Sequence, residues 1–170
     1  HNYAGGRYLL PCVVPLSLLL AGDLSRLHHA WWALALPGLL LAPAMVYAER
    51  AHARASLEVA QGLSDRPPAR FTGEWTLRWA LQEQGWSFWS PEEALQLNEP
   101  VAVPVHSSPG PLSLDLHQIE EISSRHDGAF RLIDLERGIG YHAETLGPLP
   151  FGWGEGPRET LRLYEVEEPP

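Results

Sequence analysis

The chain has no lysine, a single cysteine and a single methionine, and almost no charge in its first 48 residues. Each scarcity removes something. Without lysine there is no P-loop: the Gly-rich stretch 138–156, GIGYHAETLGPLPFGWGEG, lacks the cation that reaches nucleotide phosphates and the strand–loop–helix context of a dinucleotide fold. All 12 basic residues are arginine, which with abundant Ala, Leu, Pro and Gly reads as the codon usage of a GC-rich genome rather than as a functional signal. Cys12 stands alone in an apolar run, so neither a disulfide framework nor a cysteine-based metal site is available. Before residue 49 the only charges are Arg7, Asp23 and Arg26, which leaves 10 arginines against 20 acids in the remainder. An acidic remainder without a basic patch displaces no counterions from phosphates, so nucleic acid is not an expected partner. No Gly-x-Ser-x-Gly elbow is present, and Ser107–Ser108 and Ser123–Ser124 stand in no nucleophile pattern.

What is present is organised around Ala30–Ala48, AWWALALPGLLLAPAMVYA, which is free of charge throughout. As a helix it measures about 28 Å, close to the thickness of a bilayer's hydrocarbon core. Trp31 and Trp32 stand at one end and Tyr47 at the other, where amphipathic rings favour the membrane boundaries. Pro37 and Pro43 are easier to place in a membrane helix, where neighbouring helices and water re-satisfy the freed carbonyls. A shorter apolar run, Tyr8–Gly22, is interrupted by Pro11 and Pro15, and Asp23–His29 (DLSRLHH) suits a tight turn. The expectation is a transmembrane α-helical hairpin with spans at about 8–22 and 30–48, followed by an exit helix to residue 63. The opening, His1 with neither methionine nor a basic leader, is expected to be an internal point of a longer polytopic protein.

Ser64–Pro68 (SDRPP) breaks the exit helix, because proline disfavours the α region in the residue before it. Residues 64–170 are expected to form a small mixed α/β soluble domain. Ala69–Thr72 reads as a strand, and Glu74–Gln84 as a helix stopped by Gly85. Trp75 and Trp79 share one face of that helix and Leu77, Ala80 and Leu81 the other, so it needs two partners, with at least one tryptophan in the core. Glu74 and Arg78, at i and i+4, read as a surface pair. Trp86–Trp89 and Val101–Val105 read as strands joined by a turn or short helix at Pro91–Leu97, with Pro104 marking an edge. Leu112–Ile122 fits helix or strand, while Ala129–Leu135 and Thr160–Val166 read as strands.

The 8 histidines invite a metal reading, but His28–His29 are loop neighbours, and His142 with Glu144 lacks a third ligand at recognisable spacing. No metal or cofactor is expected. Glu92–Glu93 and Glu120–Glu121 are adjacent acids of a solvated surface. The stretch 138–156, with Tyr141, Phe151 and Trp153, reads as a lid, a docking surface, or a loop serving only its own fold.

Two segments carry a resemblance. His1–Gly22, HNYAGGRYLLPCVVPLSLLLAG, resembles the loop-to-helix "RYLLP…P" segment late in polytopic GT-C glycosyltransferases, the polyprenyl-phosphate-sugar-dependent enzymes related to protein mannosyltransferases and lipid A aminoarabinose transferases. Arg70–Trp86, RFTGEWTLRWALQEQGW, resembles a stretch of the C-terminal soluble domain of bacterial members, and the later G-Y-H…LGPLPFG fits the same region. The resemblance implies a bacterial inner-membrane transferase that uses a lipid-phosphate sugar donor and works on the extracytoplasmic side. It places the catalytic carboxylate in an early loop of the parent, outside this chain, so the chain alone is expected to be inactive and to have no catalytic residue. Arg7, with Tyr8 beside it at the membrane entry, is the implied contact for the lipid phosphate, since a guanidinium presents a planar fork to phosphate oxygens. Counting arginines alone puts the hairpin's outer ends in the cytoplasm, whereas the resemblance puts them and the soluble domain outside; the resemblance is followed. The expected partners are membrane lipid, the sugar donor and the rest of the parent protein. The competing expectation is a non-enzymatic, membrane-anchored interaction domain.

Overall fold

The structure is a computed structural model, and it describes residues 31–90, 93, 95–96, 98–107, 116–134, 137–140 and 151–166. In chain order the elements are α1 (Trp31–Gln61), β1 (Arg70–Phe71), α2 (Trp75–Glu83), β2 (Ser87–Phe88), β3 (Val101–Pro104), β4 (Leu116–Ser123), β5 (Phe130–Arg131), β6 (Ile133–Asp134), β7 (Ile139–Gly140), β8 (Gly152–Trp153) and β9 (Thr160–Val166). They fall into two compact units. The described residues of His1–Glu49 and Phe130–Gly154 make one, and those of Arg50–Ala129 and Glu155–Pro170 the other.

The second unit is a five-stranded mixed sheet in the order β2-β1-β3-β9-β4. β2, β1 and β3 run parallel, while β9 is antiparallel to both β3 and β4. Its continuous apolar run explains itself: β3 is buried on both faces. Ala102 joins Phe71, Leu161 and Leu163 on one side, where Leu77, Ala80 and Leu81 of α2 and Val59, Ala60 and the following Leu63 of α1 cover them. Val101 and Val103 face the other way, toward Trp89, Leu95 and Tyr164. The small α/β domain read from the sequence is therefore present, and Gln84 Nε2 donates to the Ala60 carbonyl at 3.1 Å to tie the end of α2 to α1.

The membrane hairpin is corrected. Among the described residues no helix is long and apolar enough to cross a membrane. The run Ala30–Ala48 does not stand apart from an exit helix. From Trp31 on it belongs to one helix that continues through Glu49, Arg50, Arg54 and Glu58 to Gln61, and Val59 and Ala60 near the end of that helix join the core of the sheet. Within the apolar run itself Leu40, Val46 and Tyr47 are exposed, and the residues of the helix that reach the sheet's core, Val59 and Ala60, come from its later, charge-bearing part. The other proposed span, Tyr8–Gly22, lies outside the described residues.

α2 begins and ends within a residue of its expected bounds. Gly73, at φ +111°, makes the turn into it, and a Cβ there would sit 2.8 Å from Pro104 Cγ. The expected core tryptophan of α2 is not found as a fully buried one: Trp79 is 59% exposed and Trp75 half-buried. Among the described residues the buried indoles are instead Trp86 and Trp89, the latter donating from Nε1 to the Glu93 carbonyl at 2.9 Å.

Pro104 does not mark an edge, because β3 lies between β1 and β9. The amide of Val105 donates to Thr160 on β9, so strand alternation turns the Pro104 nitrogen toward β1, which has already ended at Phe71. No ladder hydrogen bond is lost. The ambiguous stretch Leu112–Ile122 is strand from Leu116 onward, carrying charge along the sheet's outer edge: Glu121 accepts from Arg162 Nε at 2.9 Å, and Glu120 pairs with Arg66. The strand expected at Ala129–Leu135 is β5 and β6 over its described residues, Leu135 lying outside them, and the turn proposed at Pro91–Leu97 lies largely outside the described residues.

If the end of α1 belongs to the core, Leu63→Ala should cost about 2–5 kcal/mol, as Leu163→Ala does. Denaturant unfolding of the two variants checks this, and a loss confined to Leu163→Ala would separate the helix from the core.

Candidate functional site

The residues assigned in advance, Arg7 and Tyr8, lie outside the described residues, as do His28, His29, His142, Glu144 and Ser108. Among the described residues no group of three or more His, Cys, Asp or Glu is placed to hold a metal ion. Of the acid pairs, Glu92 lies outside the described residues; Glu93 accepts from Arg70 Nη1 at 3.1 Å, and Glu120 and Glu121 make the edge pairs just described. Glu74 and Arg78 do pair, at 3.1 Å, and the Arg78 guanidinium also lies 4.2 Å from the centre of the Phe88 ring.

Three arrangements form that sequence spacing does not announce. The first joins His52 of α1, Ser107 just past β3 and Glu159 just before β9. The Ser107 hydroxyl donates to Glu159 Oε2 and lies 3.3 Å from His52 Nε2. His52 Nε2 and Glu159 Oε2 are 3.9 Å apart. The other carboxyl oxygen, Oε1, accepts the amides of His106 and Thr160, each at 3.0 Å. Glu159 is fully buried, and burial pushes its carboxyl up to about 7, against the pull of Ser107 and the two amides. The order of contacts differs from that of a nucleophilic triad. There the imidazole stands between hydroxyl and carboxylate, whereas here the hydroxyl stands between the other two and is itself buried. The cluster ties α1 to the chain just past β3 and just before β9.

A related contact on the same helix is open to solvent. Glu58 accepts from the Arg125 amide at 3.0 Å and pairs with His126 Nδ1 at 2.7 Å. The His126 hydrogen bond holds the Glu58 carboxyl below the usual carboxylate range.

The second arrangement lies in the other unit. Asp134, fully buried, accepts Arg137 Nη1 at 2.8 Å and has Arg131 Nη1 at 3.4 Å. Gly154 closes over this group so tightly that a Cβ would lie 2.7 Å from Arg131 Nε and from Asp134 Oδ2.

The third arrangement is aromatic. β5 and β8 pair Phe130 with Trp153 and Arg131 with Gly152. Phe130 lies 5.5 Å from Trp153 and 5.6 Å from Phe151, measured between ring centres, in edge-on and tilted geometries. Trp153 is 73% exposed and Phe151 37%. Gly152 is required between them, since Ile139 Cδ1 would be 2.6 Å from a Cβ there. The result is an open aromatic surface on a backbone anchored from below. Phe151 and Gly152 close the LGPLPFG motif singled out in the sequence.

Comparison with known proteins identifies no relative: no family model, no curated protein and no solved structure matches this chain.

Two outcomes test these geometries. Gly154→Ala should destabilise by about 1–3 kcal/mol, because the added methyl must displace a buried ion pair; wild-type stability in denaturant would show that the pair yields freely. The second concerns Glu159. Its carboxyl is raised in the folded chain from an ordinary value of 4.5, so its contribution is fully present below that value and is lost as pH rises through about 7. The loss is on the order of 3 kcal/mol. Glu159→Gln should flatten that limb of the stability–pH curve, and an unchanged limb in the variant would remove Glu159 as its source.

Proposed function

We propose that this chain is an accessory part of a polyprenyl-phosphate-sugar transferase, binding the sugar donor while another part of the enzyme supplies the catalytic carboxylate. One observation carries the reading: an aromatic group of half-buried Phe130 with exposed Phe151 and Trp153 lies where the LGPLPFG motif of the resemblance ends. A pyranose ring has an apolar face of C–H groups and a polar rim, and an open indole flanked by phenyl rings matches such a face while leaving the hydroxyls in water. The closed His52–Ser107–Glu159 cluster is consistent with a supporting role, since its hydroxyl and carboxyl are occupied by one another. Arg7, with Tyr8, is assigned to the donor's lipid phosphate on the strength of the RYLLP resemblance alone.

The test is binding of short-chain polyprenyl-phosphate mannose, and of its aminoarabinose counterpart, to the whole chain, followed by tryptophan fluorescence and calorimetry against detergent blanks. Trp153→Ala should weaken binding about tenfold. Arg7→Ala should weaken it about ten- to a hundredfold through loss of a charge-assisted contact, and Arg7→Lys should recover part of that because the charge remains but the fork is lost. Absence of binding by the wild-type chain overturns the reading, as does wild-type affinity in both alanine variants.

A further inference from the structure

The cluster of His52, Ser107 and Glu159 holds chemistry that the proposed function does not use. Its donors and acceptors can be counted. Glu159 Oε1 is taken by two amides, so any proton on the carboxyl belongs on Oε2, beside Ser107. The Ser107 hydroxyl has one proton to give and two lone pairs to receive. With a single mobile proton, two arrangements satisfy the contacts of this row. In one, Glu159 Oε2–H donates to Ser107, whose hydroxyl donates to His52 Nε2. In the other, His52 Nε2–H donates to Ser107, whose hydroxyl donates to the Glu159 carboxylate. They interconvert by moving protons along the row, without moving a heavy atom.

Adding a second proton makes both outer groups donors, and the Ser107 proton then faces no acceptor in the row. Removing the proton leaves a carboxylate facing a neutral imidazole in a site closed to water, which is costly even with Ser107 and two amides donating to it. The His52 side chain is 14% exposed, whereas Glu159 has no exposure, so the imidazole is the end through which protons reach solvent. The surrounding titratable and charged groups have partners of their own: Glu58 on α1 pairs with His126, Glu74 before α2 with Arg78, and Arg158 Nε donates to the Asp127 carbonyl. His106 after β3 brings its amide to the row.

We infer that His52, Ser107 and Glu159 form a one-proton relay, bridged by the serine hydroxyl, that sets how firmly the C-terminal half of α1 is held against the ends of β3 and β9 as pH changes. His52 lies on α1, Ser107 just past β3 and Glu159 just before β9, so the row is a polar tie among the three. Ser56 reinforces the helix end of it by donating to the His52 carbonyl at 3.1 Å.

The experiment uses the whole chain, labelled for NMR at glutamate carboxyl carbons and histidine rings and titrated from mildly acidic to mildly alkaline pH. Glu159→Gln and His52→Gln assign the two signals. A shared proton makes the Glu159 carboxyl and the His52 ring titrate in common, two-step curves. Two independent single-step curves in the wild-type chain overturn the relay. Ser107→Ala, which keeps both titrating groups and removes the bridge, should separate the two curves, and unchanged coupling in that variant would also overturn it. For the grip on the helix, amide exchange at residues 53–60 should accelerate by about tenfold beyond the intrinsic base catalysis once the proton is lost, the equivalent of one pH unit of linkage. Protection that is constant across the range overturns the regulatory part of the proposal.

Discussion

The sheet depends on one pairing, that of β9 with β3. β1 and β2 are two residues each and have only parallel neighbours, and β4 has no partner among the strands except β9. Joining Val101 to Tyr164 and Pro104 to Leu161 closes a loop of roughly sixty residues, an entropic cost that grows slowly with length but must be met before any non-local contact forms. What offsets it is burial on both sides of the same strands. Leu161 and Leu163 meet the two helices, while Tyr164 turns to Trp89, Val101 and Val103. A strand so placed loses packing on two faces at once if it slips by one residue, so its register is strongly specified.

That same pairing brings Glu159 and Ser107 together, since one precedes β9 and the other follows β3 at the matching end. A carboxyl there cannot stay unpaired, and the hydroxyl of Ser107 with the amides of His106 and Thr160 is the least the site requires. The polar row and the hydrophobic core are therefore parts of one solution, with α1 held by both: Val59, Ala60 and the following Leu63 in the core, His52 in the row. The aromatic surface in the other unit follows a different logic. Phe130 and Trp153 stand on two short paired strands with Phe151 just before the second, and aromatic area that is left in water marks a place where something else can bind.

Much of the local structure was legible in the residues. Gly73 and Gly85 bracket α2, and the alternation in TLRLYEV marks β9 correctly to its ends. The small mixed α/β domain followed from those signals, and Glu74 with Arg78 paired as an i,i+4 spacing on a helix requires. The membrane hairpin did not hold: the uncharged run is the first part of a helix that continues through Glu49, Arg50, Arg54 and Glu58 to Gln61, so absence of charge did not mark the limits of a span. Pro104 misled for a related reason. A missing amide excludes a strand interior only if a neighbour was waiting for it, and β1 is too short to be that neighbour. His52, Ser107 and Glu159 were invisible, being more than fifty positions apart with no spacing rule to join them.

By itself, then, the sequence determined what is local: where the chain turns at glycine, where a helix stops, which strands alternate, and which charges meet one turn apart. These depend on backbone sterics and on neighbours within a few residues, and the chain carries that information wherever it goes. Tertiary structure alone decided which face of an apolar segment is covered and by what, whether a proline's missing donor matters, and which distant polar side chains share a proton. Those outcomes depend on pairing Val101 with Tyr164, because burial and hydrogen bonding are set by what lies within a few ångströms in space, whatever the distance along the chain.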